Sequence, residues 1–304
     1  MKIVSLIPSA TEIVFALGLG DQLAAVTDEC DYPPEARSKP VVSGSALPSG
    51  RPLSAREIDD EVRARMDDRQ PLYQLDRDLI RRIQPDVILA QDLCRVCAVP
   101  SGQVEDALAR LGVDARVLSL DPNSLDEVIG TIEVAGEVLD AKERADELAE
   151  SLRGRVHEIR TAALRLPAIR TLTLEWTDPP FAGGHWIPDM VETAGGTNLL
   201  SERGQPSRRV TWRQVSDATP EVAVVMPCGY YLHEAEDDAA SLYDNPEFAD
   251  TPAAREGSVF AVDASAYFSR PGPRVVDGLE ILAWAIHPEA YAEPAAESIA
   301  RVER

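Results

Sequence analysis

Lysine is almost missing from this chain. Of its 30 basic residues only Lys2, Lys39 and Lys142 are lysine, and the rest are arginine. Acidic residues number 52, which sets the formal net charge at −22. A charge of that sign and size repels phosphate backbones and anionic headgroups, so nucleic acid and acidic membrane surfaces are excluded as partners. So acidic and lysine-poor a surface resembles the proteins of halophiles, whose self-repulsion is screened by concentrated salt. Apolar runs are short, and none reaches the roughly 18 residues of a spanning helix, so no membrane span is expected. No basic and apolar leader precedes Lys2-Ile3-Val4-Ser5-Leu6-Ile7, which already reads as a first strand. The expectation is a cytoplasmic protein; an exported mature domain with its signal removed is the alternative. Cysteine is scarce, at Cys30, Cys94, Cys97 and Cys228. Cys94 and Cys97 form a C-x-x-C, but no second such pair completes a four-cysteine zinc site. Sequence signatures of catalysis are missing as well. There is no G-x-S-x-G, Walker or H-E-x-x-H motif, so an enzyme is not expected.

Aromatic residues make up only 5% of the chain, yet they gather. Trp176, Phe181 and Trp186 fall with His185 in the twelve residues Glu175–Trp186, along with paired prolines and glycines. Large rings on a rigid loop at a strand end make a better ligand wall than a core. Ala266–Arg274 is a second such loop, with Tyr267, Phe268 and Arg270 among prolines and a glycine. Asp92 and Cys94 follow the strand Val87–Ala90, at the end of a parallel sheet where ligands bind. Ser9 opens a helix whose N-terminal amides face the same region. A metal site built from Cys30, Cys94, Cys97 and His185 is the alternative to an aromatic ligand wall.

The chain is organised around the helical stretch from Ser124 to Leu166. Ser124-Leu125-Asp126-Glu127 is a capping box, and Asp140-Ala141-Lys142-Glu143 repeats the signature. Leu148, Leu152, Val156, Ile159 and Ala163 then recur at spacings of four and three, one apolar stripe on a helix. Such a helix reads as a connector, because its flanks resemble each other. Ser9–Gly20 and Ile187–Gly196 are helices closed by glycine, and Pro85-Asp86-Val87 and Pro220-Glu221-Val222 open strands in the same order. The fold expected is α/β: two Rossmann-like lobes, each a small parallel sheet with helices, joined by one long backbone helix with a ligand cleft between them. The N-terminal lobe would span 1–123, the linking segment 124–166 and the C-terminal lobe 167–304. Arg170–Glu175 reads as an alternating strand and 289–304 as a frayed acidic tail.

Ser5-Leu6-Ile7-Pro8-Ser9-Ala10-Thr11-Glu12, the Pro-acid-Val strands, the single linking helix and the aromatic loops resemble the helical-backbone (class III) periplasmic-binding-protein family. Within it, the chain looks most like the vitamin B12 (cobalamin) branch, alongside ferric-siderophore and haem binders. The resemblance covers about residues 1–288. It implies a substrate-binding protein of the ABC-transporter type, holding cobalamin or a related corrinoid as its small-molecule ligand, a tetrapyrrole-like molecule. It implies that Phe181, Trp212, Tyr267 and Phe268 stand at ring-covering positions, with Tyr73 a looser match. Exported members dock on permease arginines through one acid per lobe. Asp78 stands at the first such place, but Arg213 stands at the second, so permease docking is doubtful and a non-exported offshoot is expected.

Overall fold

The computed structural model describes residues 1–47, 54–68, 70, 72–93, 99 and 101–304. The chain divides into two compact units. One comprises Met1–Asp121 and Gly130–Leu148, the other Pro122–Ile129 and Ala149–Arg304.

The first unit is built on a six-stranded sheet among the described residues. Its strands are Ile3–Ser5 (β1), Leu23–Thr27 (β2), Val41–Ser45 (β3), Tyr73–Leu75 (β4), Val87–Ala90 (β5) and Arg116–Ser119 (β6), in the order β4-β3-β2-β1-β5-β6. All neighbours are parallel except β3 and β4. β1 and β5 are buried throughout, as continuous apolar runs in a covered parallel sheet should be. The helices are Pro8–Ala16 (α1), Ala55–Asp67 (α2), Arg77–Ile83 (α3) and Ser101–Leu111 (α4). Ile80 of α3 and Val104 and Leu108 of α4 close on Val4, Ala25, Val42 and Ile88 to make the core. The expected Ser9 cap of α1 is displaced by two residues, to Ile7. Pro8 takes the first helical position, where its fixed φ is already helical, and Ile7 is the extended residue before it. Ser9 and Glu12 are therefore buried inside the helix.

Two helices follow, Leu125–Val138 (α5) and Lys142–Ala163 (α6). Ser124 accepts the Glu127 amide as expected, at 3.3 Å, but Glu127 returns its carboxylate to the Asn123 amide, at 2.7 Å, one residue before the cap. Asp140 turns the chain between the helices with φ 54, a left-handed conformation. Gly136 lies where a Cβ would come 2.2 Å from that of Ala145, so the helices touch through it. Along α6 Leu152, Val156, Ile159 and Ala163 are buried as the stripe predicts, while Leu148 is only half-buried and Ala145 and Ala149 extend the buried face toward the start of the helix.

In the second unit the strands are Ile169–Thr177 (β7), Pro180–Ala182 (β8), Gly196–Asn198 (β9), Arg208–Arg209 (β10), Val222–Val225 (β11), Val259–Val262 (β12) and Ile299–Arg301 (β13). Their order is β10-β8-β7-β11-β12-β13, with β9 also on β7. β7, β11 and β12 run parallel, while β8, β10 and β13 are antiparallel additions. The sequence led one to expect parallel sheets, but each sheet is mixed: β4 is reversed in the first, and β8 and β13 are reversed in the second. The helices are Ile187–Thr193 (α7), Trp212–Ala218 (α8), Leu232–Ser241 (α9), Pro246–Ala249 (α10), Pro252–Glu256 (α11), Ala264–Tyr267 (α12) and Val275–Ile286 (α13). The core gathers Leu172, Leu174, Val215, Val225, Phe248 and Ala261.

Two further expectations are corrected here. Thr171–Leu174 do not alternate; all four are buried, because β7 is central, with β11 on one side and β8 and β9 on the other. The supposed frayed tail forms β13, which pairs Phe260 with Arg301 and Val262 with Ile299. Tyr243 donates its hydroxyl to the Val302 carbonyl at 2.9 Å, fixing the strand from behind. At the end of α13, His287 is buried against Gly195, whose φ is 90, and its Nε2 has no hydrogen-bond partner among the described residues.

Candidate functional site

Three loops leave the C-terminal ends of the parallel strands β7, β11 and β12 in the second unit, the end of an α/β sheet where ligands bind. These loops are bonded to one another. The Cys228 amide donates to the Glu175 carbonyl at 3.2 Å, and the Ser265 amide to the Tyr230 carbonyl at 3.0 Å. Trp186 donates its indole N–H to the Phe268 carbonyl, also at 3.0 Å. Trp176 is paired with Phe181 across β7 and β8. It meets the ring of Tyr230 edge-on, with centroids 5.5 Å apart and planes at 64°. That geometry suits the ring quadrupoles. Trp176, Phe181, Tyr230 and Tyr267 remain half-buried, so part of each ring faces outward.

The turn that carries His185 is pinned to the segment at 204–207. The His185 amide donates to the Gln205 carbonyl at 2.6 Å, and the Gly204 amide donates to the His185 carbonyl at 3.1 Å. Contact is so close that a Cβ on Gly184 would sit 2.1 Å from the Ser207 nitrogen. His185 itself takes φ 51, a conformation that costs a non-glycine residue energy and is held by these bonds. The Glu175 carboxylate, at the end of β7, accepts the Gly184 amide at 2.9 Å. The His185 and Trp186 rings stack at 5.8 Å and 29°. The Trp176 Nε1 and His185 Nδ1 are buried and have no hydrogen-bond partner among the described residues.

Burial dominates the electrostatics. It lowers the His185 pKa, so the imidazole is uncharged at neutral pH. It raises that of Glu175, against the opposing pull of its hydrogen bonds from Gly184 and Ser207. Asp238 is raised by burial although Thr177 donates a 2.7 Å hydrogen bond to it. The Tyr230 hydroxyl is pushed up to about 12 by burial and by the charges of Asp238 and Glu234. Tyr267 is raised by burial too, while Arg274, 5.7 Å from its ring centre, works the other way. The site therefore combines aromatic rings and a neutral imidazole with the carboxylates of Glu175 and Asp238, whose pKa values are raised by burial.

The residues singled out in the sequence divide in three ways. Trp176, Phe181, His185, Tyr267 and Arg270 stand half-buried on the linked loops. Trp186 and Phe268 lie beneath them, buried, and join the loops to each other. Trp212 opens α8, two residues after Val210 donates its amide to the Pro180 carbonyl, and packs edge-on against Phe248 of the core, at 6.0 Å. In the first unit, Ser9 is buried in α1 and Tyr73 pairs with Ser45 in β4. Asp92 is occupied locally. Its carboxylate accepts the Ser101 amide at 2.8 Å, the Ser101 hydroxyl, and the Ser119 hydroxyl at 3.2 Å. Cys30 is buried in the first unit with its sulfur 3.0 Å from the Thr11 hydroxyl oxygen. Cys94 and Cys97 lie outside the described residues, among which no group of three His, Cys, Asp or Glu side chains could hold a metal ion.

Sequence reasoning passed over Glu175, Tyr230 and Asp238. The first two carried a signal. Glu175 is the one acid on its strand, beside Trp176, and Tyr230 follows β11 at its C-terminal end. Asp238 lies inside an acidic helix and gives no sign of its burial. In the first unit, Tyr32 is an exposed ring in the loop after β2 and was likewise passed over.

The chain is similar to known proteins over nearly its whole length. An ABC-transporter substrate-binding lipoprotein of Bacillus subtilis, YvrC, described as uncharacterized, is 25% identical, over 96% of this chain and 82% of that protein. A vitamin B12-binding protein of Vibrio cholerae is 26% identical, over 92% of this chain and 86% of that protein. The fold is shared with a periplasmic heme binding protein from Pseudomonas aeruginosa, with a TM-score of 0.73 and 21% identity, over 100% of this chain and 98% of that one. No helix among the described residues is long and apolar enough to cross a membrane. The model of the family described as periplasmic binding protein matches residues 3–266, and the chain belongs to that family, one of substrate-binding proteins rather than enzymes.

Proposed function

We propose that this protein captures cobalamin or a related corrinoid as the substrate-binding component of an ABC transporter. The observation that carries the reading is the platform of half-buried rings, Trp176, Phe181, Tyr230 and Tyr267, on loops bonded together at one end of the second sheet. A broad, largely apolar macrocycle gains most from such a surface, because ring faces bury area without charge to desolvate. The names of the relatives favour an exported setting over the cytoplasmic one. Permease docking would involve exposed charges; Asp78 and Arg213 are both exposed and of opposite sign.

Haem is the second reading, and His185 favours it. An imidazole kept neutral, with a ring nitrogen lacking a partner among the described residues, is the kind of donor that iron takes. Titration with cyanocobalamin and, separately, with hemin separates the two. Binding of one cyanocobalamin per chain, with no Soret shift for hemin, supports the first reading. A Soret shift without cyanocobalamin binding replaces it with the second, and silence from both rejects the tetrapyrrole class.

A further inference from the structure

We infer that Glu175 is the positioning residue of the ligand platform, setting the geometry of the loop from Phe181 to Trp186 without itself meeting the ligand; the link to binding rests on the function proposed above. Its carboxylate accepts the Gly184 amide at 2.9 Å, at the point where the turn of His185 meets the segment at 204–207. Those are the segments that press together where no Cβ fits on Gly184. Two backbone bonds, His185 to Gln205 and Gly204 to His185, complete the seam. On the other side, the backbone of Glu175 receives the Cys228 amide and so holds the loop that bears Tyr230. One residue thus couples all of these segments, and its neighbour Trp176 is the ring most central to them. The left-handed backbone of His185 needs such outside support, because the residue's own preference is to leave that conformation. A charged acceptor is suited to the task, since hydrogen bonds to an ionised group are stronger than neutral ones.

The test uses the full chain with Glu175→Ala and Glu175→Gln, and reads amide exchange at Gly184, His185 and Gly204 as well as the affinity for cyanocobalamin. Glu175→Ala is expected to speed exchange at these amides, and to weaken binding, by roughly tenfold or more, as loss of a charged acceptor implies. Glu175→Gln, which keeps an acceptor for Gly184, is expected to restore most of both. Glu175→Asp, whose shorter side chain reaches the Gly184 amide less well, gives the same changes at smaller size and stands in if Glu175→Ala does not fold. Unchanged exchange at Gly184, or a lower melting temperature with exchange and affinity both intact, overturns the inference. If the parent chain fails to bind cyanocobalamin, the proposed ligand is wrong, and the exchange result alone decides the role of Glu175.

Discussion

At the end of β5, in the first unit, Asp92 folds back to hold Ser101 and Ser119, and Asp121 accepts the amides of Asp92 and Leu93. At the end of β7, in the second unit, Trp176 leaves a ring face outward and Glu175 braces the loop from behind. The two sheets share a run of parallel strands at their centres, so the difference lies in the loops. Short carboxylates close a loop on itself. Large rings cannot be satisfied that way and keep a surface for something else. The two strand ends thus differ in what their side chains leave exposed.

The sharpest break would come from Asp92→Ala. It removes the charged acceptor of α4's first amide and of two hydroxyls, and should cost about 2–3 kcal/mol of stability. Denaturant melts check that value. Cyanocobalamin affinity should be unchanged, and a fall in affinity with intact stability would make the first unit's strand end a ligand group as well. Next comes Trp176→Ala. It should weaken cyanocobalamin binding by about 1–3 kcal/mol, the worth of one large apolar contact, with a smaller change in melting temperature. Trp212→Ala should do the reverse, because that ring packs on Phe248. Calorimetry on both variants tests the contrast.

A smaller effect concerns pH. Burial holds His185 and His287 below the ordinary histidine value near 6.5. The folded chain then binds fewer protons than the unfolded one in this range, so stability is complete above 6.5 and is lost as pH falls through the lowered folded values. Melting temperatures at pH 7.5 and 5.5 should differ, and His287→Asn should shrink the gap. Glu175 and Asp238 have the opposite sign. Their raised values favour the folded state at acid pH and lose that contribution as pH rises from about 4 through the folded values. An unaltered gap in His287→Asn would show that the histidine is not what senses the acid.

Much of this was legible in the residues. The stripe on α6, the strands β5 and β11, and the gathering of rings near Trp176 all follow from local spacing, and local spacing survives folding. What escaped depends on partners far away in sequence. Ile299–Arg301 shows no strand pattern of its own, and only the open side of β12 recruits it. Trp186 and Phe268 read as ligand wall because they sit in loops, yet each satisfies the other's loop: an indole N–H meets a carbonyl 82 residues away. Thr171 and Thr173 suggested an exposed face, but a strand with partners on both edges and layers on both sides buries hydroxyls too. The Glu175 carboxylate could be seen as unusual, but not what it holds.

The C-terminal strand bears on how the protein behaves when shortened. While β13 is present, its backbone pairs with that of Phe260–Val262, and β12 is an interior strand. Removing residues 299–304 would turn this buried, wholly apolar strand into an open border of unpaired amides and carbonyls, a template for strand addition from another molecule. A chain ending at Ser298 is expected to keep its ligand platform, which lies on other elements, yet to form oligomers or precipitate with rising concentration. Residues 299–304 are thus expected to guard β12 against self-association, with the Tyr243 hydroxyl holding them through the Val302 carbonyl.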